Sequence, residues 1–163
     1  MSKVFIVGGA GKVGRRLAQR LSQRGHQALA LHRKPEQAQE LQALGARPVL
    51  GSLLELDADG LAQLMAGSDI VVFLAGAGGQ GGKEMTAAID GRGLERAVAA
   101  ARKAGVPRFL LVSAFPEASR GKHVSETFEN YMAVKKLADV HLAESDLDLS
   151  LIHISEPTRL RRI

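Results

Sequence analysis

Val4–Leu21, VFIVGGAGKVGRRLAQRL, is the stretch whose reading decides the fold. An apolar run of strand character meets glycines at positions 8, 9, 11 and 14, and a helical pattern follows at once. Three of these glycines have a mechanical use at such a junction. Gly8 permits a sharp turn, Gly11 leaves room for a pyrophosphate against the main chain, and Gly14 lets the helix lie close to the strand. The first amides of the helix, at Lys12 and Val13, and the positive end of its dipole favour an anion. The spacing is G-x-x-G-x-x-G, and a glycine triplet alone is equally at home in a plain tight turn. Context separates the two: a strand before, a helix after and a further strand within one ~30-residue unit predict a dinucleotide-binding turn.

Outward from this turn, apolar runs alternate with helical patterns. KVFIVGG, HQALALHR, RPVLG, DIVVFLAG and VPRFLLVSAF read as strands. Between them lie KVGRRLAQRLSQRG, closed by Gly25, and PEQAQELQALG, with Pro35 in its first turn and Gly45 as its stop. A weak helix around DADGLAQLMAG and a long one from Gly82 to Gly105 follow. After the fifth strand comes SETFENYMAVKKLADVHLAES, with Ser125 as its N-cap. Strict strand–helix alternation predicts an α/β fold, a doubly wound parallel sheet covered on both faces. The continuous runs VFIV, IVVFL and FLLV agree, because parallel strands are buried on both sides.

The bulk composition narrows the function classes. The chain has 163 residues, 45% hydrophobic and 24% charged, which suits one domain with a substantial core. With five Phe, one Tyr and no Trp there is little material for a stacking platform on single-stranded nucleic acid. The net charge is +5, but residues 149–163 supply three arginines against one glutamate, and the body carries both signs scattered along it. No concentrated basic patch marks a nucleic-acid surface. Cysteine is absent, which excludes disulfide and thiolate chemistry and suggests a cytoplasmic protein. No segment approaches the ~20 apolar residues of a membrane span. No metal site is expected, and the expected partner is a small-molecule substrate; oligomeric state is not legible.

The end of the second strand selects between the two nicotinamide dinucleotides. A carboxylate there would hold a ribose 2′-hydroxyl, and a basic residue would accept a 2′-phosphate. The sequence offers no carboxylate but His32, Arg33 and Lys34 together. Arg33 is the better fork, since a guanidinium binds two phosphate oxygens at once. NADP(H) is therefore favoured over NAD(H), although the same charges would also suit a solvated start to the next helix. After the fourth strand, Ala75, Gly76 and Ala77 open a glycine-rich loop at the carboxyl edge of the sheet, where ligands bind. Lys83 beyond it is within reach of a phosphate or is simply a solvated charge.

Tyr131 is the only tyrosine, and Lys135 follows it by one helical turn, on the same face. A phenol is a poor acid–base at neutral pH unless a nearby ammonium favours the phenolate. Lys135 is expected to do this and to hold the cofactor ribose. Ser113 ends the fifth strand at the same sheet edge, placed to bind a substrate carbonyl oxygen. A Tyr-x-x-x-Lys pair on an amphipathic helix is also common for structural reasons; its place after a nucleotide-binding half is what singles it out.

With these residues in view, the chain resembles the short-chain dehydrogenase/reductases, in their atypical NAD(P)H-binding, NmrA-like branch. The resemblance runs through FIVGGAGKVGRRLAQRL, ALHRKPEQAQEL, AGSDIVVFLAGAGG, AIDGRGLERAVAAARKAGVPRFLLVSA and YMAVKKLADVHLAESDLDLSLI. It implies a Rossmann fold, cofactor contacts at Gly8, Gly11, Gly14 and Arg33, and catalytic positions at Ser113, Tyr131 and Lys135. Two departures stand out. Ser52 occupies a place where relatives often carry an Asp near the adenine. Asp90, in AIDGRG, reads as a structural helix residue.

The tail departs further. Relatives read much like LDYTIVRPG at the sixth strand, whereas this chain reads LDLSLIHISEPTRLRRI. Leu149–Arg159 resembles the translation of a transposase mosaic-end adapter, so the natural frame is expected to end near Asp148. The expected domain is 1–152, truncated before the C-terminal substrate region, with 153–163 a disordered, non-native tail. LSLIHI is apolar enough to fill a sixth-strand slot regardless. Three functions stay open: NADPH-dependent reduction of a small carbonyl or conjugated substrate, a non-catalytic NADP(H)-sensing regulator, and a nucleotide-sugar epimerase or dehydratase.

Overall fold

The computed structural model describes residues 1–76, 82–114, 126–144 and 147–154. Six parallel strands form one sheet: β1 (Lys3–Val7), β2 (Gln27–His32), β3 (Arg47–Leu50), β4 (Ile70–Phe73), β5 (Arg108–Ala114) and β6 (Asp148–Ile154), in spatial order β3-β2-β1-β4-β5-β6. β1 is central, with Phe5 opposite both Leu29 of β2 and Val71 of β4. The strand order reverses between β1 and β4, which opens a crevice at their carboxyl ends.

Alternation along each strand divides the core into two layers. Phe5, Val7, Leu29, Leu31, Val71, Phe73, Phe109 and Leu111 face one side. They pack against Leu61 and Met65 of α3 (Ala58–Met65) and Leu94, Ala97, Val98 and Ala101 of α5 (Leu94–Lys103). Val4, Ile6, Ala28, Ala30 and Val72 face the other side, against Ala18 of α1 (Lys12–Gln23) and Leu41 of α2 (Gln37–Ala43). Ala18, Ala28 and Ala30 are small members of the second layer, so α1 sits close to the sheet.

Local chemistry sets the helix ends. Asp57 caps α3, its carboxylate accepting from the Gly60 amide at 2.7 Å. Gly25, Gly45, Gly67 and Gly105 end helices with positive φ. α2 begins at Gln37, after Pro35. The Lys34 and Pro35 carbonyls accept from the Gln37 and Ala38 amides at 3.0 and 3.1 Å, a tight three-residue entry. The long helix expected from Gly82 is divided into α4 (Gly82–Thr86), a π-helical turn (Ala87–Gly93) and α5. Gly91 and Gly93 weaken the α-helical preference there, and the Thr86 hydroxyl donates back to the Gly82 carbonyl at 3.2 Å. Such π segments recur at functional sites.

α6 spans Glu126–Ala143; the expected N-cap, Ser125, lies outside the described residues. β6 fills the sixth slot as its apolar sequence suggests, but it continues to Ile154, opposite Ala114, two residues past the expected boundary at 152. Residues 155–163 of the expected tail lie outside the described residues. Among the described residues no helix is long and apolar enough to cross a membrane.

Candidate functional site

The glycine turn after β1 is held by its own main chain. The Gly9 amide donates to the Leu31 carbonyl at 3.0 Å, and the Gly11 amide to the Gly8 carbonyl at 3.1 Å. Gly8 has φ of +87°, and a Cβ there would meet the Ala75 nitrogen at 2.7 Å. A Cβ on Gly14 would stand 2.4 Å from the Gly8 carbonyl oxygen, so Gly14 is the glycine that brings α1 onto the turn. Gly11 differs: an added Cβ meets only the Gly8 oxygen, at 3.3 Å, and otherwise projects away from the protein. No side chain among the described residues caps α1 at Gly11. The first-turn amides of Lys12, Val13 and Gly14 therefore have no intrahelical acceptor, the arrangement that receives an anion. These features fit a dinucleotide diphosphate.

Above this turn lies an open cleft of about 400 Å³. Gly8, Gly11, His32, Arg33, Ala75 and Gly76 of the expected cofactor set line it together. Lys12, Val13, Gly14 and Lys34 do not line it; Lys12, Val13 and Lys34 are exposed beside it. His32 is buried, and its Nδ1–H donates to the Lys34 carbonyl at 2.9 Å, so its ring shapes the turn that carries Arg33. The Lys34 amide donates to Gln37 Oε1 at 3.1 Å. Ala77, together with Gly78, Gly79 and Gly81 of the loop, lies outside the described residues. Lys83 is ion-paired with Glu126 and holds that carboxyl below the usual range, so its charge is already engaged.

The cleft also takes in Ser52, at the place where relatives often carry an Asp, and residues that sequence reasoning missed. Gly51, Leu53 and Leu54 form one wall with Ser52, and Gln37, Met85 and Ile89 contribute from three helical segments. The Ser52 hydroxyl accepts from the Leu54 amide at 3.2 Å, so it shapes this wall as a turn residue. Arg96, from α5, donates to the Leu53 carbonyl at 2.8 Å and braces the wall from behind. Gly9 has no room for a side chain, since its Cβ would fall 2.6 Å from that of Ala30. The doubled glycine at 8 and 9 was the available signal; apart from Ser52, marked by the resemblance, nothing local marks the wall residues.

Lys135 stands beside the Gly76 end of the cleft through Asp90, and Ser113, Tyr131 and Lys135 all lie outside the cleft lining. Ser113 is buried at the end of β5, and Tyr131 is half-buried on α6. Lys135 is 3% exposed; its Nζ donates to the Val112 carbonyl at 3.5 Å, which ties it to the strand that carries Ser113. The connection to Gly76 runs through Asp90. This carboxylate is 1% exposed, stands 3.6 Å from Lys135 Nζ, and would meet a Cβ on Gly76 at 3.2 Å.

The π-helical turn carries Asp90, read from the sequence as a structural helix residue, to the buried centre of this edge. One expectation is corrected here: the Tyr131 phenol is not drawn toward neutrality by Lys135. Burial pushes it above the ordinary tyrosine value, and the Asp90 charge raises it further. Among the described residues no cluster of three or more His, Asp or Glu side chains could hold a metal.

Comparison with known proteins bears on the family and the fold. Residues 8–159 match a family model described as NAD(P)H-binding. The chain is 36% identical to the uncharacterized sugar epimerase YhfK of Bacillus subtilis over 151 residues, which is 92% of this chain and 70% of that one. It is 33% identical over 141 residues to the 4-hydroxy-2-methyl-3-oxo-4-farnesyl-3,4-dihydroquinoline-1-oxide ketoreductase of Stigmatella aurantiaca, covering 82% of this chain and 40% of that enzyme. A structure from Bacillus halodurans, provisionally assigned as an NAD-dependent epimerase/dehydratase, superimposes with a TM-score of 0.83 at 34% identity, over 94% of this chain and 70% of that one. The chain thus belongs to the NAD(P)H-binding family of atypical short-chain dehydrogenase/reductase and epimerase-like Rossmann proteins.

Proposed function

We propose that this protein is a cytoplasmic, NADPH-preferring oxidoreductase acting on a small carbonyl or conjugated substrate. The observation that carries the cofactor preference is Arg33. It lines the same cleft as Gly8, Gly11 and Gly76, at the end of β2 where an NAD-specific site would present a carboxylate. When bound, the dinucleotide supplies hydride chemistry; the chain's own residues bind, orient and move the proton.

The first-turn amides of α1 receive the diphosphate, and Arg33 forks the 2′-phosphate. Ser113 orients the substrate oxygen, Tyr131 holds the proton that this oxygen gains, and Lys135 steadies the ribose and the charge beside Tyr131. Ketoreductase chemistry in the Stigmatella relative supports this reading. An epimerase or dehydratase using the same residues is the second reading, supported by the epimerase assignments of the Bacillus relatives. A third is an NADP(H) sensor.

Calorimetry of the purified chain with NADPH and NADH separates the cofactor claim: uptake of NADPH at least tenfold tighter than NADH supports it, and equal uptake sinks it. NADPH oxidation is then followed over a panel of carbonyls and quinones, with Tyr131→Phe alongside. Turnover abolished by Phe supports the enzyme, whereas tight binding without turnover selects the sensor.

A further inference from the structure

We propose that Asp90 is a positioning residue of this site: the π-helical turn carries its carboxylate inward to an ion pair with Lys135, and the pair, rather than the lysine alone, sets the charge that Tyr131 meets. Three geometric facts converge on it. Both partners are almost wholly buried, at 1% and 3% exposure, and stand 3.6 Å apart. Lys135 is also tethered to the Val112 carbonyl at 3.5 Å, so its ammonium is fixed between β5 and the π turn. On the cleft side, the absent side chain of Gly76 makes the space that Asp90 occupies, since a Cβ would press on Oδ1 at 3.2 Å.

Burying a carboxylate and an ammonium is costly unless they are paired, and removing one partner leaves the other's charge uncompensated. That asymmetry makes the pair a setting device. With both present, the Asp90 carboxylate offsets the pull of the Lys135 ammonium, and burial together with the Asp90 charge keeps the phenol protonated. Other charged groups on the elements packed against α6 are engaged or turned outward. Lys83 of α4 is held by Glu126, and Glu84 is exposed. Arg92 of the π turn and Glu95 of α5 are exposed, while Arg96 is spent on the Leu53 carbonyl. Arg108 of β5 pairs with Asp148 of β6.

The consequence deepens the oxidoreductase reading and rests on it only in this respect. A phenol that keeps its proton through neutral pH is poised to donate, as the reduction of a carbonyl requires. Substrate oxidation, which needs the phenolate, is then restricted to alkaline conditions.

The experiment needs neither cofactor nor substrate. Tyr131 is the sole tyrosine and the chain has no tryptophan, so the ultraviolet signal of tyrosinate reports this one side chain. In the folded chain, checked by circular dichroism at each pH, Asp90→Asn is expected to move the tyrosinate midpoint down by about one pH unit, because the Lys135 charge is unmasked. Asp90→Glu should keep the midpoint high. The double variant Asp90→Asn/Lys135→Met removes both charges and serves if the single variant does not fold. It should titrate within about half a pH unit of the parent if the two charges cancel at Tyr131. An unmoved midpoint in folded Asp90→Asn, or a double variant titrating well above the parent as lysine loss alone would give, overturns the proposal. Failure of NADPH binding by calorimetry would remove the enzyme reading and leave this result standing.

Discussion

The glycine turn between β1 and α1 and the Ser113–Tyr131–Lys135 edge between β5, α6 and the π turn sit at the same end of one sheet, yet they are made differently. The turn is made of main chain. Its shape depends on missing side chains at Gly8, Gly9 and Gly14, and the free amides of Lys12, Val13 and Gly14 follow directly on it at the start of α1. The edge is made of side chains from three elements, and its central contact joins residues 45 positions apart, Asp90 and Lys135. The lesson is that local conformational rules govern the first region, while burial and pairing of charge govern the second.

The largest expected effect breaks the edge without touching the turn. Tyr131→Phe should lower turnover by about 10²–10⁴-fold, the usual contribution of a positioned acid, while NADPH uptake in calorimetry stays near the parent's. A loss of binding alongside turnover would mean that the two regions are not separable. Next comes the reverse case. Gly8→Ala combines a left-handed φ with a backbone clash at 2.7 Å and should cost about 2–4 kcal/mol in denaturant unfolding. Gly11→Ala, whose Cβ meets only the Gly8 oxygen, should cost under about 1 kcal/mol and instead weaken diphosphate binding. If both glycines proved equally costly to stability, the reading of Gly11 as ligand space would fail.

Arg33→Ala sharpens the cofactor half. It should reduce NADPH affinity by about tenfold or more, the loss of a charge-assisted contact, and leave NADH affinity nearly unchanged. The smallest effect is a pH dependence of stability. Tyr131 has a folded value raised above that of the unfolded chain. Its contribution is therefore fully present below the ordinary tyrosine range and is lost as pH rises through the folded value. Thermal melts should show an alkaline decline in the parent that is shallower in Tyr131→Phe.

How far each region could be read in advance follows from the same difference. Gly8 and Gly14 announce themselves because left-handed φ and close helix–strand approach admit little else. Arg33 was legible because a strand end is a fixed place relative to the turn. The wall around Ser52, formed by Gly51, Leu53 and Leu54, was not, since it becomes part of the cleft only when β3 pairs beside β2 and Arg96 braces the loop. The buried place of Asp90 was hidden for a similar reason. An α-helical wheel puts it on a generic helix, whereas the π turn, stabilised by packing against α6, directs it into the core.

By itself the sequence determined the alternation of strands and helices, the glycine corner and the basic residue at the end of β2, all consequences of backbone sterics and hydrophobic periodicity that act over a few residues. The tertiary structure alone decided that Asp90 meets Lys135, that Gly76 makes room for it, and that the Tyr131 phenol is pushed up rather than down. The sign of that shift depends on desolvation and on the sum of charges brought together by the packing of distant elements, and neither quantity exists until the chain has folded.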